Sequence, residues 1–277
     1  MELLLRQDAP LSDQEWEQID SAVMQAARAN LVGRRFISLY GPLGLGVQAV
    51  WVDKVKGVSP GTMGTYGEEE TDEVVPTERR LLALEMLYKD FRLTWRDIAT
   101  ARDLHAPLDV SAGAAAGAML ARAEDRLVFY GTDDNPGIMR VPGHVTVAIE
   151  AGWEEPGSGL AAVAQARSLL VANAAMGPYA LVLAPDLYTK LLRILGHGGR
   201  LELELIKSVA EAGVFQSPIL DAGTGALVSS GPDVLDLAIG GDIQVAYKGP
   251  EELNHPFRVL ETLALRIRRP EGICVLE

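Results

Sequence analysis

The sequence predicts an α+β protein, on three observations. It opens with a capped amphipathic helix, continues with two alternating β-branched segments separated by a glycine-rich and then acidic stretch, and from residue 214 onward is a succession of short apolar strands. With 277 residues, 48% hydrophobic and 23% charged, the chain can build one large domain or two modest ones.

The first helix starts at Ser12-Asp13-Gln14-Glu15, a capping box in which the hydroxyl and the carboxylate satisfy otherwise orphaned backbone N–H groups. Trp16, Ile19, Val23, Ala26, Ala27 and Leu31 recur at helical spacing, and Gly33 is placed to end the helix. The opposite face is polar, so the stripe must dock on residues distant in sequence or on another molecule.

Residues 47–55 and 80–95 alternate and read as strands. Between them, a turn-rich run from Gly57 to Gly67 and the acidic run Glu68-Glu69-Glu70-Thr71-Asp72-Glu73 cannot bury much apolar surface. We expect a two-stranded arm with a polar tip. Isolated hairpins are marginal in water, so a neighbouring subunit is expected to complete it.

Residues 107–130 are expected to form the next helix, ending at Gly131. Its middle, Ser111-Ala112-Gly113-Ala114-Ala115-Ala116-Gly117-Ala118, is small enough for another backbone to approach closely, although each glycine costs about 1 kcal/mol relative to alanine. Helices are expected at 158–176, 186–195 and 201–212. Strands are expected at 179–184, 214–219, 226–230, 235–240, 243–248, 257–269 and 273–276. Gly/Pro-rich joints at 131–143 and 221–225 suggest a helical subdomain inserted into a sheet that closes with the C-terminal strands.

Several function classes are excluded. The balance of 25 basic against 38 acidic residues, net charge −13, repels phosphate backbones, so no nucleic-acid partner is expected. The densest basic spot, Arg266, Arg268 and Arg269, is expected to be a salt-bridged or solvated face. No apolar stretch reaches the ~18 to 20 residues that span a bilayer, and the N-terminus lacks secretory features, so a cytoplasmic protein without membrane partners is expected. The single cysteine, Cys274, reads as a buried hydrophobe in the last strand, and four scattered histidines offer no zinc cluster. Glu68 to Glu70, and Glu202 with Glu204, read as solvated faces rather than acid/base pairs. Gly44-Leu45-Gly46-Val47-Gln48-Ala49 matches G-x-G-x-x-A, but a strand follows where a nucleotide site needs a helix. A nucleotide-dependent enzyme rests on that motif alone. No catalytic constellation, metal site or cofactor is expected.

The order of segments resembles the encapsulins, nanocompartment shell proteins built on the tailed-phage major capsid fold. The resemblance rests on Arg6, Ala9-Pro10, Trp16, Ile19-Asp20, Leu31, Gly33-Arg34, Phe36 and Gly41-Pro42, then on Ala123-Glu124-Asp125 with Phe129 and Gly131. It continues through Gly177-Pro178-Tyr179, Leu181-Val182-Leu183 and Asp186, Gly196-His197, and finally Gly240, Asp242, Ile243, Tyr247 and Glu261-Thr262. It departs from the family's pattern at the long acidic tip 57–75, at Ser38, at Leu263-Ala264-Leu265 and at Gly198-Gly199-Arg200.

The resemblance implies a tailed-phage major capsid protein-like fold in four parts: an N-terminal arm and cargo-facing helix (1–46), an extended-loop hairpin (47–95), a peripheral domain with a spine helix (96–135 and 226–277) and an axial domain (136–225). It implies a non-enzymatic icosahedral shell in the cytoplasm that encloses a cargo enzyme, of ferritin-like or peroxidase type, through the cargo's C-terminal targeting peptide. Carried over residue by residue, the cargo-binding candidates are Trp16, Ile19, Val23, Arg34 and Phe36, and the pore-lining candidates Gly196, His197, Gly198, Gly199 and Arg200. A tailed-phage or prophage capsid protein of the same fold is the alternative.

Overall fold

The computed structural model describes residues 3–56, 61–71, 73–195 and 199–277. Two five-stranded sheets and a projecting hairpin organise it. In chain order the elements are helix α1 (Asp13–Asn30), strands β1 (Leu39–Tyr40), β2 (Ala49–Lys56), β3 (Val75–Ala83) and β4 (Glu85–Leu93), and helices α2 (Trp95–Asp103) and α3 (Ser111–Tyr130). Then come β5 (Val145–Val147), α4 (Ser158–Ala172), β6 (Tyr179–Leu183), α5 (Pro185–Lys190), β7 (Ile194–Leu195), β8 (Arg200–Leu201), α6 (Glu202–Lys207) and β9 (Gly213–Gln216). The last are β10 (Gly225–Ser229), β11 (Leu235–Ile239), β12 (Gln244–Tyr247), β13 (His255–Ile267) and β14 (Ile273–Leu276).

The first sheet is organised on the long strand β13, which pairs antiparallel with β4, β11 and β12, while β1 adds parallel to β11. Against it lies α3, and on α3 lies α1. The capping box is formed: the Ser12 hydroxyl accepts from Glu15 N–H and the Glu15 carboxylate accepts from Ser12 N–H. The stripe Trp16, Ile19, Val23 and Ala27 is buried, with the Trp16 ring edge-on to Phe257 at 5.5 Å and Phe257 stacked on Phe91 at 5.2 Å. Burial of each large side chain contributes about 1.5–3 kcal/mol. The small-residue helix admits this close approach, since a Cβ at Gly117 would lie 2.5 Å from the Val23 carbonyl oxygen.

The second sheet runs β5-β14-β10-β6-β9, with β5 and β14 parallel, β6 and β9 parallel, and β10 antiparallel to both neighbours. The buried faces of α4, α5 and α6 share one core with it. A further core, including Phe36, Val128, Phe129, Val182 and Leu237, joins the two sheets at the end of α3. The arm is the hairpin β2–β3, with a bulge between Val52 and Lys54.

Several sequence expectations are corrected. α1 ends at Asn30 with Leu31 extended. Gly33 is not a left-handed cap: its N–H donates to Asp125, and a Cβ there would meet Val128 at 3.2 Å. The strand expected over 80–95 is two strands and the start of a helix; β3 follows the arm, β4 joins β13, and Trp95 opens α2 behind a second capping box between Thr94 and Asp97. The helices expected at 186–195 and 201–212 are present but shorter, six residues each, and flank the hairpin β7–β8. β10 and β14, placed by position with the peripheral strands, lie in the second sheet with β5, β6 and β9. Glu202, expected on a solvated face, is fully buried.

Candidate functional site

Downstream of α1 the chain turns through Val32 to Phe36, and Asp125 of α3 fixes the turn by accepting N–H bonds from Val32 at 3.0 Å and Gly33 at 2.9 Å. Burial pushes the Asp125 carboxyl up to about 7 even against those bonds. The turn aims Arg34 inward. Its Nε meets Glu124 of α3 at 2.8 Å, Nη1 meets Asp242 at 2.7 Å and Nη2 meets Glu261 of β13 at 2.7 Å. One guanidinium thus ties the N-terminal segment, the spine helix, the β11–β12 turn and the middle of β13. Three carboxylates share one cation, and Glu124 and Glu261 are fully buried. Burial raises both carboxyls, Glu261 well above its usual range. Asp242, half exposed, is held below its usual value by Arg34 despite its partial burial.

Beside this cluster a shallow groove of about 340 Å³ runs between α1 and the start of β12, with Met24, Leu31, Leu39 and Ile243 as apolar walls and Arg28 and Arg35 at the rim. A second hollow of about 300 Å³ continues it along α1 past Met24 to Arg6, Asp20 and Val245. Its far end is closed by Arg6, which pairs with Asp20 at 2.6 Å and lies 4.0 Å above the Trp16 ring. The arrangement offers apolar contact, two cations and the exposed edge of Asp242 along one extended track. It holds no nucleophile and no acid/base pair. Among the described residues, no group of three or more His, Cys, Asp or Glu is placed to hold a metal ion. Cys274 is buried, and burial pushes its thiol up to about 12.

The sequence-derived cargo candidates do not form this groove together. Trp16, Ile19 and Val23 are 6%, 0% and 1% exposed; of the two partners open to the stripe, it is α3 and the first sheet of the same chain that cover it. Phe36 is 7% exposed and stacks on Phe215 at 5.8 Å, inside the core between the sheets. Arg34 reaches the groove, with its charge already matched, and Val23 lines the second hollow from its buried position. Met24 and Arg28 were missed, although Asp20, Met24 and Arg28 recur at four-residue spacing on the flank of the buried stripe. Of the pore candidates, Gly196, His197 and Gly198 lie outside the described residues. Gly199 adopts φ +68°, with open space where a Cβ would stand, and Arg200 begins β8 and is exposed. Among the described residues Arg200 has no ion pair with Glu202 or Glu204; Glu202 pairs with Arg193 instead.

Comparison with known proteins gives this geometry its family. A family model described as encapsulating protein for peroxidase matches residues 1–264. The type 1 encapsulin shell protein EncA of Myxococcus xanthus (strain DK1622) is 46% identical over 270 residues, 97% of this chain and 94% of that protein. The chain belongs to the encapsulin family. This encapsulin is therefore a structural shell subunit rather than a catalyst. Its fold is that of the virus-like particle from Pyrococcus furiosus, with a TM-score of 0.79 at 24% identity, covering 95% of this chain and 99% of that one. The encapsulin also shares the fold of the capsid of Myoviridae phage XM1, with a TM-score of 0.64 at 14% identity, covering 88% and 90% of the two chains. The tailed-phage capsid-like α+β fold expected from the sequence is the fold observed. No helix among the described residues is long and apolar enough to cross a membrane.

Proposed function

We propose that copies of this chain assemble in the cytoplasm into a closed icosahedral shell that encloses a cargo enzyme and passes small solutes. The cargo docks through a short C-terminal peptide laid along the groove beside α1. The observation that carries this reading is the groove itself: its floor, Leu31 and Ile243, is held by the subunit's own core, while exposed Leu39 and partly exposed Met24 are left to take up a peptide's side chains. Arg28, Arg35 and Asp242 at the rim give the track polar register marks. Arg34 acts behind the groove by holding Asp242 in place, and Trp16, Ile19, Val23 and Phe36 act as the framework on which α1 and the turn rest. A peroxidase is the cargo that the family's description names, and a ferritin-like enzyme is the other candidate. The segment around residues 196–200, with the cation of Arg200 exposed at its end, is the proposed passage for solutes.

The test compares shells from the wild type with Met24→Asp and Leu39→Asp, expressed beside the native cargo gene. Loss of cargo from particles of unchanged size supports the groove. Undiminished cargo in both variants overturns it.

A further inference from the structure

The small hairpin β7–β8 is closed at its base by two charged side chains. Arg193 immediately precedes β7 and Glu202 immediately follows β8; Arg193 Nε meets Glu202 Oε2 at 2.9 Å. The backbones are closed as well, Glu202 N–H donating to Arg193 C=O at 3.0 Å and Leu203 N–H to Leu191 C=O at 3.0 Å. Both side chains then reach beyond the hairpin to one segment, the turn that leads into α4. Arg193 Nη1 donates to the carbonyls of Trp153 and Glu154, each at 2.8 Å, and Nη2 donates to that of Glu155. Glu202 accepts the N–H of Gly157 at 3.2 Å and of Leu160 at 2.9 Å, the latter in the first turn of α4. Gly159 makes room for this, since a Cβ there would stand 3.0 Å from Glu202 Oε1 and 2.6 Å from Leu191.

Glu202 is fully buried and Arg193 largely so. A buried ion pair gives little net stability over an apolar pair of the same volume, whereas its hydrogen-bond directions fix orientation. Here the donors of the guanidinium fork and both carboxylate oxygens are spent on partners on two sides of one joint. The hairpin therefore cannot tilt against α4 without breaking several charge-assisted bonds together.

We propose that the Arg193–Glu202 pair is a positioning clamp that holds hairpin β7–β8 at a set angle to α4 and so sets the size of solute that passes the shell there. The proposal rests on the solute-passage reading of this segment.

The experiment uses assembled shells loaded with a reporter enzyme. Glu202→Gln keeps the shape but removes the ion pair. Arg193→Lys keeps the charge but loses the fork that reaches the three carbonyls, and serves where the first variant fails to fold. Two quantities are measured: hydrogen exchange in peptides covering Arg193–Leu195 and Arg200–Leu203, and reporter rates with a small substrate and with one near the size limit. The expected result is several-fold faster exchange in those peptides and a several-fold rise in uptake of the large substrate alone, in particles of unchanged size. A role in fold stability alone would lower the melting temperature without moving the size limit. Unchanged exchange overturns the clamp. Faster exchange with an unchanged size limit overturns it too, and if Arg200→Glu alters uptake in the same assay the passage reading stands without it. If Arg200→Glu also leaves uptake unaltered, the passage reading falls and takes the proposal with it.

Discussion

Trp51 of β2 and Leu81 of β3 stand directly opposite each other on the arm, and each is 59% exposed. Their strand neighbours Val50, Val52 and Leu82 turn to the other face and are buried with Ala238 and Ala264 of the first sheet. The arm thus docks on its own subunit by one face and presents a large apolar cross-strand pair on the other. In a shell protein we expect that pair to meet a second copy of the chain. Covering each side chain contributes about 1.5–3 kcal/mol per contact, repeated at every arm. We expect Trp51→Lys combined with Leu81→Lys to leave a soluble subunit, changed by about 0.5 kcal/mol or less in its own stability, that forms few closed particles. Light scattering and electron micrographs check this; normal particles from the double variant would remove the arm's outer face from the assembly contacts.

The carboxylates around Arg34 predict the pH profile. An acid whose folded pKa is raised keeps its proton where the unfolded chain has lost it, so its contribution to stability is fully present below about pH 4 and falls as pH rises through the folded value. Burial places Glu124, Glu261 and Asp125 in this class, the last reaching about 7. Glu261 has a specific reason: Oε2 accepts from Arg34, while Oε1 is buried with no hydrogen-bond partner, so ionisation would leave a charged oxygen unsolvated. Asp90 has the opposite sign. The Arg258 guanidinium and the Lys248 ammonium hold it down to about 2, so its contribution is present above about pH 4 and is lost only as pH falls toward that value. The subunit should therefore lose stability as pH rises from about 5 through about 7, the Asp125 value, and beyond it where Glu261 titrates, and Glu261→Gln should flatten that decline, each removed pKa unit being worth about 1.4 kcal/mol at the alkaline end. Denaturant midpoints across the range measure it; parallel slopes in wild type and variant would show that Glu261 titrates normally.

What could be read from the sequence was what repeats locally. The α1 stripe, its capping box and the small-residue spine are written within a few residues of themselves, and all three are in the structure. What the sequence hid is carried by distance: Arg34 meets Glu124, Asp242 and Glu261 across 90, 208 and 227 residues, and no local pattern announces such a cluster. Gly33 resembled a helix stop because the true constraint, Asp125, lies on another helix. The alternation of residues 80–95 runs through Leu84 into Trp95, so period alone could not separate β3, β4 and α2. β14 belongs to the second sheet through Val145–Val147 and Gly225–Ser229, partners that hydropathy does not name. The groove is half legible: periodicity shows an apolar stripe on α1 and the resemblance assigns that helix to cargo, but only the folded packing tells buried Trp16, Ile19 and Val23 from Met24 and Arg28, which flank them beside the groove.

Two glycines four residues apart on α3 give the sharpest test of how α1 is held. Both cost helix stability, so replacing either by alanine gains about 0.5–1 kcal/mol if space allows. At Gly113 space allows: the new Cβ would stand 3.4 Å from the Phe91 ring and 3.5 Å from Val23 Cγ2, ordinary contact distances. At Gly117 it does not, because the Cβ would lie 2.5 Å from the Val23 carbonyl oxygen and 3.1 Å from its Cα. A backbone obstacle cannot rotate aside, so α1 must move off α3 and with it the walls of the groove. We expect Gly113→Ala to stabilise the subunit by about 0.5–1 kcal/mol and Gly117→Ala to destabilise it by about 1–3 kcal/mol, the usual cost of overpacking. Thermal and denaturant unfolding of the two variants decides the matter, and equal effects of the same sign would mean that α1 and α3 are not in the close contact described.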